Sequence, residues 1–271
     1  MKVPASYYQQ FDADYSLDIP GEGYGGWKKS DIKIAPEHTA LVVMHAWDCG
    51  KQKDYPGWYR AVEYIPRAHK ICKEVFPRLL SSVRQAGMPV FHVVGGGDYY
   101  KDFPGYKYAL SLVGPEDPPE QIGKDPVREQ LDTFRQENVF VGKHNQKDVN
   151  RGFANLDFPE PARPLDSEPV AATGGQLFAI CKDKGINHLI FAGFTVNGCL
   201  LVSPGGMVDM SRHGILCSTI PQAVTAIENR ESARTESNKQ TALWRIGLCY
   251  GFVFDLDDFL SAIHTMKGPS K

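Results

Sequence analysis

Short apolar runs alternate with stretches of helical periodicity along most of this chain, and that alternation constrains the fold more than any other feature. ALVVMH (40–45), PVFHVV (89–94), VFVG (139–142), HLIFA (188–192), GILCST (214–219) and GFVF (251–254) read as strands. Between the first two runs, Ile65, Ala68, Ile71, Val75, Leu79 and Val83 recur at helical spacing, as on the apolar face of an amphipathic helix. Pro77 interrupts them, so a kink or two consecutive helices are expected. Further helices are expected over about 125–136, 173–184, 197–213 and 256–266, and within 221–246, with SPGG (203–206) distorting the one that spans it. Strands joined through helices require right-handed crossovers, and hence a mainly parallel sheet covered on both faces.

The flanking segments read differently. Residues 1–38 are rich in Gly, Pro, Tyr and Asp. They are expected to form an irregular arm over the domain or a neighbouring subunit, leaving 39–271 as one domain. GEGYGG (21–26) fits a dinucleotide loop by letter, but no strand feeds it and no helix follows, so it reads as turns. Residues 95–124 are rich in Gly, Pro and Tyr and read as a long functional loop or lid.

With 42% apolar and 23% charged residues, the 271-residue chain has the composition of a soluble globular protein. A net charge of −2 gives no electrostatic case for nucleic acid or an anionic membrane as partner. No apolar run approaches spanning length, and the N-terminus shows no targeting pattern. The six cysteines are scattered, with no C-x-x-C pair and no zinc-like spacing. Reduced thiols in the cytoplasm are the expectation.

In a parallel sheet, ligands bind at the carboxyl ends of the strands. Three of those ends carry reactive side chains: His45 closes the first run, Lys143 follows VFVG, and Cys199 comes six residues after Gly193 breaks HLIFAG. A thiol at the start of a helix meets free N–H groups and the positive end of the dipole, and both favour the nucleophilic thiolate. Each residue also has a plain structural reading. Cys199 reads equally as a small buried apolar residue, His45 as a histidine satisfied by a backbone carbonyl, and Lys143 as a solvated surface lysine.

Four blocks give the chain a further identity: TALVVMHAWD, RLLSSVRQAGMPVFHV, VFVGKHNQ and HLIFAGFTVNGC. In order and spacing they resemble the isochorismatase-like cysteine hydrolase superfamily, over roughly residues 36–255. The resemblance implies a three-layer α/β/α fold, Rossmann-like, with a mainly parallel sheet of about six strands. It also implies a homo-oligomer, dimer or tetramer. Many members are amidohydrolases of small amides and ureides that use an aspartate, a lysine and a cysteine. By position the nucleophile falls on Cys199 and the lysine on Lys143. The resemblance further implies a cis peptide between Phe194 and Thr195 and an oxyanion hole made by the N–H groups of Thr195 and Cys199.

Two positions depart from the family. Its aspartate falls on His45, and its frequent glutamine falls on Trp47, which would reshape the substrate pocket. A Cys–His pair can still run this chemistry, with imidazole taking and returning the thiol proton. Lys143 would then support the thiolate or the oxyanion. The expected activity is therefore hydrolysis of a C–N bond through a thioester, with Cys199, His45 and Lys143 as a modified triad and no cofactor. His92 and Asp98 invite a metal reading, but HVVGGGDYY lacks the ligand spacing. The alternatives are a ligand-binding member that has lost catalysis and, less favoured without the aspartate, vinyl-ether hydrolysis.

Overall fold

Every residue of the strand segments Thr39–Met44, Val90–Val93 and His188–Phe194 is buried, as strands covered on both faces require. The computed structural model describes residues 1–114, 120–165 and 167–266. In chain order its elements are β1 (Lys2–Gln9), β2 (Gly26–Lys33), β3 (Thr39–Met44), α1 (Pro56–Ala61), α2 (Ile65–Glu74), α3 (Phe76–Gln85), β4 (Val90–Val93), α4 (Pro104–Val113), α5 (Pro126–Asn138) and α6 (Gln146–Phe153). There follow β5 (Val170–Ala171), α7 (Gly174–Lys184), β6 (His188–Phe194), α8 (Cys199–Val202), α9 (Met207–Arg212), β7 (Leu216–Thr225), α10 (Ser237–Cys249) and α11 (Leu256–Met266).

The central sheet has the order β5-β4-β3-β6-β7 and is parallel throughout. Alternation along each strand sends side chains to two cores. Leu41, Val43, Ile190, Ala192 and Phe194 pack with Ala68, Phe76, Leu79 and Phe259 on one face. Ala40, Val42, Met44, Leu189 and Phe191 pack with Leu177, Ile180, Met207 and Ile246 on the other. These layers make the expected three-layer α/β/α architecture.

Several boundaries follow directly from the sequence. Pro77 lies in the first turn of α3, so the periodic stretch is split into α2 and α3. Thr173 caps α7 by accepting from the Gln176 N–H, and Gly185 ends it in the left-handed region at φ 65°. SPGG separates α8 from α9, as the proline required. The lid-like stretch holds a helix of its own, α4.

Three expectations are corrected. Residues 1–38 are not irregular throughout: β1 and β2 form an antiparallel hairpin that buries Val3 and Ala5 against the domain, and the residues between them make turns. GFVF does not form a full sixth strand. It makes single bridges from Val253 to Thr219 and to Ser6, joining β7 to the hairpin.

The third correction concerns VFVG. Its N–H groups turn back onto the end of α5: Val139 and Phe140 donate to Arg135, Gly142 donates to Gln136 and Lys143 donates to Glu137. Capture by the last carbonyls of a helix removes the donors that a sheet would need. The place beside β4 is taken instead by Val170–Ala171. Glu168 anchors that strand by accepting from His92 Nε2 at 2.9 Å and from Arg84 at 2.7 and 2.8 Å. α5 itself has no buried residue, and Val127, Leu131 and Phe134 are exposed along it.

Two outcomes test this architecture. Gly193 lies at φ 123°, and a Cβ there would sit 1.9 Å from the Met44 carbonyl oxygen. Gly193→Ala therefore forces β6 away from β3 and is expected to cost about 3 kcal/mol or more in urea unfolding. Glu168 supplies the second test. Burial alone would raise its carboxyl, but hydrogen bonds from His92, Arg84 and the Leu165 N–H together hold it down at about 2. A depressed carboxyl contributes stability that is full above its unfolded value and is lost as pH falls toward its folded one. The stability gap between the wild type and Glu168→Gln should therefore close as pH drops from about 4.5 toward 2.

Candidate functional site

The chain runs from β3 outward to β4 and β5, then crosses back to β6 on the other side of β3. The carboxyl ends of β3 and β6 therefore flank the point where strand order reverses, the usual place for a ligand in such a sheet. His45 leaves one of these ends, and the turn from Thr195 to Gly198 leaves the other.

Cys199 opens α8 with its thiol partly exposed. Its Sγ makes no hydrogen bond among the described residues. The turn before it is tightly wound: Gly198 and Leu200 N–H both donate to Thr195 O, at 3.2 and 3.0 Å, while Val196 N–H donates to Thr225 O at 2.7 Å. Among the described residues, the N–H groups of Thr195 and Cys199 find no acceptor. The Phe194–Thr195 peptide is cis. The Thr195 hydroxyl is buried without a partner and faces Gly198, where a Cβ would meet it at 2.8 Å. α8 has only four residues, so its dipole is short and the N–H groups carry most of the electrostatic argument.

His45 stands in the left-handed region at φ 50°, which is uncommon for a residue with a side chain. Its N–H donates to Val93 O at 2.8 Å. Its ring leans toward β4: a Cβ on Gly95 would lie 2.9 Å from Nε2. Cys199 lies on the opposite side of β3, and no hydrogen bond joins the two. Burial pushes the imidazole down to about 4, so it is neutral throughout the neutral range.

Lys143 is not brought to Cys199 by any hydrogen bond or ion pair. Its side chain is 78% exposed and lies 3.5 Å from Glu137. The cause is the missing strand: the residues that should have carried Lys143 to the sheet end are wound onto α5. Asp48 is engaged elsewhere, accepting from the Gly50 N–H at 2.7 Å and lying 3.6 Å from His69. His92 is spent on Glu168, and Asp98 pairs with Lys101 at 2.6 Å. Among the described residues, no group of three or more His, Cys, Asp or Glu side chains is arranged to hold a metal ion.

Trp47 belongs to an aromatic cluster, with ring centroids 5.4 Å from Trp58 and 6.4 Å from Tyr64. The aromatic content of 47–64 reads in the sequence as lining either an apolar pocket or a subunit contact, and Tyr64 falls within it. Tyr64 occupies the position just before α2 and makes no side-chain capping bond there. Burial raises its phenol, with Cys199, Glu63 and Cys49 adding to the shift.

The fold has precedents among solved structures. The chain is similar to a "putative isochorismatase" from Burkholderia xenovorans LB400, with a TM-score of 0.50 at 14% identity, covering 86% of this chain and 91% of that one. A cysteine hydrolase from Pseudomonas syringae pv. phaseolicola 1448A gives 0.49 at 13% identity, over 86% of this chain and 95% of that one. The MAR1 ribonuclease from Caenorhabditis elegans gives 0.44 at 11% identity, over 88% of this chain and 94% of that one. No protein-family model matches the sequence, and no curated protein does. The first of these likenesses shows that the chain has the isochorismatase-like three-layer fold.

The electrostatics of His45 can be checked directly. A histidine-resolved NMR titration should place its midpoint at about 4. A midpoint near the ordinary 6.5 would mean that the ring is solvated and turned out of the sheet end.

Proposed function

We propose that this protein hydrolyses a C–N bond, amide or ureide, of a small molecule, using the Cys199 thiolate as nucleophile. The observation that carries the reading is a partly exposed, unpartnered thiol beside two unpaired N–H groups at the strand-order reversal. Sulfur would attack the carbonyl carbon, and the oxyanion would fall to the Thr195 and Cys199 N–H groups. Collapse would break the C–N bond, the amine leaving with the proton that the thiol gave up, and would leave a thioester. Water would then release the acid and restore the thiol.

His45 fits one part of this scheme better than another. An imidazole held at about 4 has the basicity of an ordinary carboxylate. It therefore matches the strength of the aspartate that the resemblance expects, without its charge. Placed on the β4 side of β3, it supports a role toward the hydrolytic water or the substrate nitrogen more than direct deprotonation of Cys199. Lys143, solvated and paired with Glu137, has no part in the scheme. Trp47 and Tyr64, partly exposed and backed by the buried Trp58, offer an apolar wall for the substrate.

A second reading has its own support. Neither His45 nor Lys143 is hydrogen-bonded or ion-paired with Cys199, which suits a ligand-binding protein that has kept the fold without the reaction. Turnover on a panel of carboxamides and ureides, with mass spectrometry for an acyl adduct, separates the two. Under the hydrolase reading, wild type turns over at least one member and Cys199→Ala abolishes it. Lys143→Ala should stay within about fivefold of wild type, as expected for an exposed ion pair. Wild-type protein that neither turns over the panel nor forms an adduct on Cys199 would favour the binding reading.

A further inference from the structure

The two unpaired N–H groups and the thiol all sit on one short turn, and a turn needs something to hold it. Asn197 supplies a reciprocal clamp. Its Nδ2 donates to Ile227 O at 2.8 Å, and its Oδ1 accepts from the Ile227 N–H at 2.8 Å. A side-chain amide thereby pairs with both backbone groups of a single residue just beyond the end of β7. The two bonds fix the Asn197 side chain in both distance and rotation. The Ile227 side chain then lies against Gly198, with Cδ1 3.6 Å from where a Cβ would be.

The segment that accepts the clamp is itself held from two other directions. Arg67 donates to Ala226 O at 3.2 Å, and the Glu228 N–H donates to Glu63 at 2.9 Å, tying the segment to the region around the start of α2. The Glu228 carboxylate accepts from the Asn238 and Lys239 N–H groups in the first turn of α10, at 3.2 and 3.0 Å. Asn238 Nδ2 also donates to Ile227 O, at 3.2 Å. The anchor under Asn197 is therefore held from the start of α2 and from α10 as well as from β7.

We infer that Asn197 is a positioning residue: by clamping the turn to Ile227 it holds the Cys199 thiol and the Thr195 and Cys199 N–H groups in their presented geometry. The inference rests on the hydrolase reading for its catalytic meaning, but the geometry it describes can be tested without a substrate. Small displacements of reacting groups carry large rate penalties, about a hundredfold for 1 Å.

The probe is iodoacetamide, with the alkylation rate of each cysteine followed by peptide mass spectrometry. Cys249 is exposed and serves as an internal reference, whereas Cys49, Cys72, Cys181 and Cys217 are buried and report general loosening. Asn197→Ala should slow Cys199 about tenfold relative to Cys249, with the four buried thiols unchanged. Asn238→Ala removes a bond to the same carbonyl but leaves the clamp intact, and should leave Cys199 at the wild-type rate. The idea is overturned if Cys199 keeps its rate in Asn197→Ala, if it changes only together with the buried thiols, or if both variants act alike. Should Asn197→Ala not fold, Asn197→Ser is measured in the same way. Turnover keeps the two claims apart. A panel substrate hydrolysed equally well by wild type and Asn197→Ala defeats the positioning role and leaves the hydrolase reading standing. Asn197-dependent alkylation in a protein that hydrolyses nothing does the reverse.

Discussion

The pairing of β3 with β6 is the contact on which the rest depends. It runs in register from Thr39 with His188 to Met44 with Gly193. Only glycine permits the approach at its upper end, because any side chain there would run into the Met44 carbonyl. The same pairing marks where strand order reverses, so it brings the exit of β3 beside the exit of β6. Both helical layers pack on these two strands. Packing, register and the location of the site thus follow from one backbone contact.

What the sequence disclosed depended on how local each signal was. Apolar runs with Gly and Pro at their ends located β3, β4, β6 and β7, because such strands need burial on both faces and little else. Pro77 marked the division of α2 from α3, whereas SPGG, expected only to distort one helix over 197–213, breaks it into α8 and α9. Cys199, Thr195 and the cis peptide after Phe194 were placed through the resemblance, and the structure puts them at the end of β6. The N-terminal hairpin was missed because its strand β2 is almost entirely exposed and carries no apolar alternation.

The failure at Lys143 has a different cause. VFVG is as strand-like as other short runs in the chain, but the end of α5 captures its N–H groups, and two residues far downstream occupy the sheet position. That competition is decided by Glu168, Arg84 and His92, three residues widely separated in sequence, and no local window contains it. The site was consequently read as three strand ends, whereas two of those residues flank the strand reversal and the third lies in solvent. His45 was placed correctly at its strand end. Its burial, and the carboxylate-like basicity that burial imposes, came only from the packing around it.

The two margins of the central sheet are finished in ways that bear on how copies of this chain behave in a crowded solution. A parallel sheet left open at an edge offers a row of unpaired backbone groups to any other chain. Here one margin ends in a strand of only two residues, pinned beneath a charged cluster. At the other, Val253 bridges from Thr219 to Ser6, so the N-terminal hairpin closes over what would be an open ladder. Neither margin presents a long, flat template. The hairpin thus guards against edge-to-edge aggregation, and shortening it would expose β7 before it disturbed the far ends of the strands.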